Sequence, residues 1–332
     1  MKVYIYFSSS PLLMSFEGSR LRKNLKGMCE SAHVTWVDSP FSSPDVSHFI
    51  APRDMKRLLK AKEAGSKTVV SAFYCEHDPE ARMLFVGEDG SKRLKKKAAK
   101  FLNAADLVLV PAEKAREFCK ENGITSRIEV LEPTINSYLF SETEIEKSAG
   151  LRYFGIRDGE KVCVALGSFS NKASLDKFFD LAKRLPKMRF FYFGPRMHRV
   201  SPAYFLASLR APKNCQVQTL DSGDLFRSLL TASLCYAIVD PAPDMMAALE
   251  AFACSSQVVI IGENAVSDLF VDFDPCVKFK TVEEAASYID ELYNGKANES
   301  IIAASRLARS FTIARQADKL IGYYESLFQK EN

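Results

Sequence analysis

Lys161-Val162-Cys163-Val164-Ala165-Leu166-Gly167-Ser168-Phe169-Ser170-Asn171-Lys172-Ala173 is the stretch on which the fold turns. A short, mostly apolar and β-favouring run forms a candidate strand, a glycine breaks it, and from about Ser174 the apolar positions take helical spacing. A strand that passes through a glycine turn into a helix is the repeating unit of a parallel sheet, because a parallel neighbour needs a covering crossover.

The same alternation extends in both directions. Lys2–Phe7, Val34–Val37, Thr68–Ala72, Leu107–Val110 and Arg127–Leu131 read as strands ahead of it. Lys161–Leu166, Arg189–Phe193, Gln216–Thr219, Leu234–Val239 and Val258–Ile261 form a second series. Amphipathic stretches such as Ser19–Glu30, Lys114–Asn122, Leu175–Leu185 and Ser222–Thr231 fall between them. The series restarts near residue 160, after the polar segment Ser141–Gly150. The pattern predicts an α/β protein of two Rossmann-like domains, 1–150 and 151–312. A closing helix within 313–332 is expected to pack back on the first domain. In such folds ligands sit at the carboxyl ends of the strands, and the cleft between two domains is the default site.

The bulk numbers agree and exclude several classes. At 332 residues and 47% hydrophobic, the chain is long enough for two ordinary domains. A net charge of only +4 argues against a general nucleic-acid binder. No apolar run approaches the roughly 18–20 residues of a membrane span, and Lys2–Phe7 is too short for a signal peptide, so a cytoplasmic location is expected. The eight cysteines are scattered without zinc-type spacing and read as buried thiols. One local excess of charge stands out. Around Leu94, Ala98 and Phe101 lie Lys92, Arg93, Lys95, Lys96, Lys97 and Lys100. This is either a solvated basic helix whose apolar stripe packs on its own domain, or a helix lying on an anionic membrane. In the second case each cation near the surface would contribute about 1 kcal/mol. No aromatics are interleaved for stacking, so nucleic acid is not expected.

Two places carry candidate chemistry. Gly167 lets a ligand approach the backbone, the amides opening the next helix favour an anion, and Lys172 adds a cation there. The competing reading is an ordinary turn capped by Ser170 or Asn171. Further on, the strand Leu234–Val239 ends in Pro241-Ala242-Pro243-Asp244, and a small-residue helix follows with one carboxylate, Glu250. Its neighbours Leu249, Ala251, Phe252 and Ala253 are apolar or small, which suits a carboxylate held in a cleft better than one on a solvent-facing helix side. Asp244, just before Met245, reads as a helix N-cap.

Gly167–Lys172 is followed by Leu-Asp-Lys-Phe-Phe-Asp-Leu-Ala-Lys-Arg-Leu (175–185) and Arg-Phe-Phe-Tyr-Phe-Gly (189–194). Leu-Asp-Ser-Gly-Asp-Leu (220–225), Leu249–Cys254, Ala308–Thr312 and, in the first domain, Phe101–Pro111 complete the series. In order and spacing these segments resemble the family 4 retaining glycosyltransferases of GT-B fold, nearest the bacterial diglucosyl-diacylglycerol synthases. The resemblance covers nearly the whole chain and implies two Rossmann-like domains facing across a cleft. It places a nucleotide sugar against the second domain. The diphosphate would meet the Gly167-Ser168 turn, Asn171 and Lys172, the ribose would meet Glu250, and Gly18 would remain from an N-terminal glycine loop. No metal and no further cofactor are expected.

The departures from the family pattern matter as much. The arginine of its Arg/Lys pair is Asn171, and its first glutamate is Ala242, for which Asp244 is the nearby substitute. The histidines expected after Thr68–Ala72 are absent, leaving His77 as either a displaced active-site histidine or a polar loop residue. Beside Gly18, Glu17 would repel a phosphate. The implied function is transfer of a hexose from UDP-glucose or UDP-galactose to a membrane glycolipid or other bacterial glycan, peripherally at the inner face of the cell membrane. The alternative is an inactive GT-B scaffold that binds nucleotide or glycan, or that pairs as a homo- or heterodimer with another glycosyltransferase and regulates it.

Overall fold

The computed structural model describes residues 1–7, 16–50, 54–72, 96–136, 143–157, 159–195, 202–220, 223–240, 245–262, 266, 275–295 and 299–329. The chain divides into two compact units, Met1–Thr134 with Phe311–Asn332, and Ile135–Ser310.

The first unit is built on a six-stranded sheet of order β2-β1-β3-β4-β5-β6, parallel throughout. Its strands are β1 (Lys2–Tyr6), β2 (Thr35–Val37), β3 (Val46–Ile50), β4 (Lys67–Ser71), β5 (Leu107–Val110) and β6 (Ile128–Val130). The helices are α1 (Phe16–Ser31), α2 (Met55–Glu63), α3 (Lys96–Ala104) and α4 (Glu113–Glu121). Strand alternation divides the core in two. Val69, Leu107 and Leu109 face one cluster, whereas Val70, Val108 and Val110 face the other. The first cluster is closed by the last helix of the chain, α12 (Ile313–Ser326), through Ala317, Leu320, Ile321 and Tyr324. Their i, i+3, i+4, i+7 spacing makes one apolar stripe, which lies beside α1.

β3 is not among the strands read from the sequence, yet it lies between β1 and β4. Val46-Ser47-His48-Phe49-Ile50 carries two polar residues at its centre, which interrupt the apolar run. Both are buried and bonded: the Ser47 and Ser66 hydroxyls lie 2.8 Å apart, and His48 bridges two further hydroxyls. Paired in this way, they cost little inside a sheet.

The second unit carries α5 (Glu144–Tyr153), β7 (Val162–Leu166), α6 (Lys172–Arg184), β8 (Arg189–Pro195), α7 (Pro202–Arg210), β9 (Cys215–Leu220) and α8 (Gly223–Ala232). After these come β10 (Cys235–Ile238), α9 (Met245–Ala253), β11 (Gln257–Ile261), β12 (Val277–Phe279), α10 (Val282–Tyr293) and α11 (Glu299–Ala308). The sheet is again parallel, in the order β12-β11-β10-β7-β8-β9. β7, β8 and β9 build outward on one side, and β10 returns to the other side of β7, so the switch point lies between β7 and β10. The polar segment Ser141–Gly150, read from sequence as part of the join, is largely α5, which packs on α8. The chain passes between units at residues 134 and 310 instead.

Helix ends show how local chemistry was chosen. Gly65, Gly123, Gly155 and Gly295 follow α2, α4, α5 and α10 with φ of 81°, 76°, 60° and 92°. α9 ends instead on Ser255 at φ 56°, where a Cβ costs about 1 kcal/mol. Ser255→Gly is therefore expected to raise the midpoint of thermal unfolding by about 2–4 °C. A lowered midpoint would refute that account.

Candidate functional site

At the switch point of the second sheet, the chain leaves β7 through Gly167 and enters α6 at Lys172. Asn171 caps the helix: its Oδ1 accepts from the Ser174 amide at 3.3 Å. Its Nδ2 donates to Asp240 Oδ2 at 3.0 Å. Asp240 follows β10 and is only 7% exposed, so this bond spans the mouth between β7 and β10. The turn amides are engaged as well. Ser170 donates to Ser168 Oγ at 3.2 Å, Asn171 to the Ser168 carbonyl at 3.1 Å, and Lys172 to the Ser170 carbonyl at 3.1 Å. Of the sequence readings, the capped turn is what the geometry contains, with Asn171 as the cap.

Gly167 and Gly194 are required by aromatic neighbours. A Cβ on Gly167 would overlap the Tyr192 hydroxyl and lie 3.1 Å from its ring. Tyr192 is fully buried and donates from its hydroxyl to the Ser168 carbonyl at 3.4 Å. Burial, with the Asp240 charge second, pushes that hydroxyl well above its ordinary pKa and keeps it a donor. A Cβ on Gly194 would fall 2.6 and 2.7 Å from Phe169 ring carbons. The Phe169 ring in turn packs against Tyr204, with centroids 5.3 Å apart. The side of Gly167 on which a Cβ would stand is thus filled by the Tyr192 ring.

Lys172 is the first residue of α6, with its side chain 77% exposed, and it pairs with Asp176 at 2.9 Å. The hydrogen bond from Lys172, and then the one from Arg210, hold the Asp176 carboxyl below the usual range. Sequence reasoning missed Lys177, a half-buried cation at the carboxyl end of β11, whose Nζ lies 3.5 Å from the Ile261 carbonyl. Asp240 was missed too, because a lone acid after a strand carries no signal before its partner is known.

Glu250 is 5% exposed within α9, all nine of whose residues are buried, so the solvent-facing reading does not hold. Gly18 is buried in the first turn of α1, which already begins at Phe16. In α3, Lys96, Lys97 and Lys100 are exposed, while Ala98 and Phe101 are packed in the first unit's core. That part of the apolar stripe serves the fold and is not offered to a membrane. His77, Ala242, Asp244, Lys92, Arg93 and Lys95 lie outside the described residues. Among the described residues, no group of three or more His, Cys, Asp or Glu stands where it could hold a metal ion. No helix among them is long and apolar enough to cross a membrane.

No family model and no curated protein matches this chain. Solved structures do. Sucrose-phosphate synthase from Thermosynechococcus elongatus superposes with a TM-score of 0.74 at 10% identity, over 98% of both chains. HepE of Anabaena in complex with UDP-glucose gives 0.71 at 13% identity, over 98% of this chain and 99% of the other. The fold is GT-B. A glycosyltransferase from Rickettsia africae adds a TM-score of 0.66 at 12% identity, over 99% of both chains. Identities this low establish the GT-B architecture and leave the chemistry to the residues themselves.

Proposed function

We propose that the protein is a GT-B hexosyltransferase that uses a nucleotide sugar, UDP-glucose or UDP-galactose, with a membrane glycolipid or another glycan as acceptor. The observation that carries this reading is the end-to-end match to a GT-B structure solved with UDP-glucose. The residues supply a consistent chemistry. Glu250 is a carboxylate able to accept from two vicinal ribose hydroxyls. Lys172 and the α6 N-terminus offset the charge that grows on a leaving diphosphate. Drawing Lys172 away from Asp176 costs little, since exposed ion pairs are worth about 0–1 kcal/mol. Transfer would break the bond from C1 to the diphosphate oxygen, form the bond from C1 to the acceptor oxygen, and pass the acceptor proton to the leaving phosphate. That front-side route retains configuration and needs no carboxylate nucleophile.

A second reading, an inactive scaffold that binds nucleotide or glycan or regulates a partner transferase, is favoured by the capped turn. Both ends of the Asn171 amide and three turn amides are already engaged, and one of the Asn171 bonds goes to the buried carboxylate of Asp240. Calorimetric titration separates the two. A transferase is expected to bind UDP-glucose or UDP-galactose more tightly than UDP and to hydrolyse the donor slowly, whereas a scaffold would show no gain from the sugar. Glu250→Gln is expected to weaken UDP binding by about ten- to a hundredfold. Absence of any nucleotide binding would remove the roles of both Lys172 and Glu250. Ala242→Glu should raise donor use in a weakened enzyme and change nothing in a scaffold.

A further inference from the structure

α7 is apolar on its outer side as well as its inner one. Its inward side consists of Ala203, Tyr204 and Ala207, which pack on the core of the second unit. Phe205, Leu206 and Leu209 are 57%, 59% and 83% exposed. At about 100° per residue, these three occupy a single arc opposite the buried side. Surface helices normally place polar residues there.

The sequence around α7 is one-sided in charge, although Arg184, Arg189 and Arg210 are paired with acids from outside it. Residues 181–220 contain eight Lys and Arg and no Asp or Glu. The Asn214 amide donates to the carbonyls of Ala182, Leu185 and Met188 at 2.8, 3.1 and 3.1 Å. These bonds tie the segment after α7, which carries exposed Lys213, to the end of α6 and the turn after it, which carry exposed Lys183 and Lys187. The acids of neighbouring elements are already paired, one of them with Arg210 of α7 itself. Asp176 pairs with Arg210 and Lys172, while Asp180 and Glu283 pair with Arg184.

We propose that α7 is a membrane-insertion element. Phe205, Leu206 and Leu209 enter the acyl boundary of an anionic bilayer, and Lys183, Lys187 and Lys213 rest on its phosphates. A second copy is the poorer occupant, because a symmetric α7 pair would set the same cations against each other. The three side chains protrude, and a bilayer accepts protrusions without a shaped pocket. The inference rests on this surface and does not require that the protein transfers sugar.

The test is co-sedimentation with vesicles of phosphatidylcholine alone and of phosphatidylcholine with about one-third phosphatidylglycerol. The full chain is expected to bind the anionic vesicles, to bind the neutral ones weakly, and to be released as salt rises. The variant F205Q/L206Q/L209Q keeps the charge and the thermal midpoint and is expected to lose about tenfold or more in partitioning. K183Q/K187Q/K213Q should bind less and show a smaller salt dependence, whereas K96Q/K97Q/K100Q should bind as the parent does. Partitioning of the Phe/Leu/Leu variant equal to the parent's overturns the proposal. So does loss of binding in the Lys96 variant alone, or failure of the parent to bind anionic vesicles. A dimer in vesicle-free solution that the Phe/Leu/Leu variant dissolves would assign this face to a second copy and overturn it as well.

Discussion

Gly150→Ala is expected to destabilise the second unit by about 1–3 kcal/mol, although alanine is the better helix former by about 1 kcal/mol. Gly150 lies inside α5, where an added Cβ would overlap the Ser228 carbonyl oxygen and fall 2.7 Å from its carbon and 3.2 Å from the Leu229 nitrogen. These are backbone atoms of α8, so no rotamer change relieves the overlap and the two helices must separate. Separation also loosens Phe154, at the end of α5, from Phe191 and Phe193, whose rings lie 5.3 and 6.1 Å from its own. Gly322 provides the internal control. It lies in α12 with nothing within 4 Å of its Cβ position, and Gly322→Ala is expected to stabilise by about 0.5–1 kcal/mol. Denaturant unfolding of both variants decides the matter, and equal shifts of the same sign would refute the packing account.

Acid is expected to weaken the first unit once pH falls below about 6.5. His48 is fully buried, with Nδ1 2.6 Å from the Tyr324 hydroxyl and Nε2 2.8 Å from the Ser71 hydroxyl. The neutral ring, one nitrogen donating and the other accepting, satisfies both hydroxyls, and burial pushes its pKa down to about 3. In the unfolded chain the ring titrates near 6.5. Because the folded value is the lower one, this contribution is complete above the unfolded pKa and is lost as pH falls towards the folded one. The expected slope is about 1.4 kcal/mol per pH unit between roughly pH 6 and 4. Asp106, held below the ordinary carboxylate range chiefly by bonds from Thr68 acting against its burial, adds its own loss only at lower pH. His48→Gln should remove the slope in that window, and unchanged pH dependence would disprove the assignment. Tyr324→Phe should cost about 1–3 kcal/mol by leaving a ring nitrogen unbonded in the core.

The sheets were legible wherever strands are continuous apolar runs, since burial on both faces leaves β7, β10 and β11 no reason to alternate. β3 escaped because its polar centre is satisfied by partners as far away as Tyr324, and no local pattern encodes a bond across 276 positions. α5 was read as a polar join because its contact with α8 runs through a glycine, which adds no apolar signal. At the candidate site, the positions of Gly167, Asn171 and Glu250 were legible, but the long-range partners of the first two were not. Gly167 answers to Tyr192, and Asn171 answers to Asp240, a carboxylate 69 residues away.

The first unit is interrupted in sequence. Its core is closed by a helix made after everything in 135–310. During synthesis the second unit has all its residues available before the first does. Until α12 arrives, the face of the first sheet that it covers, and with it the His48 ring that bonds Tyr324, stays open. The half of the molecule that is translated first is thus completed last, and a chain stopped short near residue 310 would carry its defect at the opposite end of the sequence.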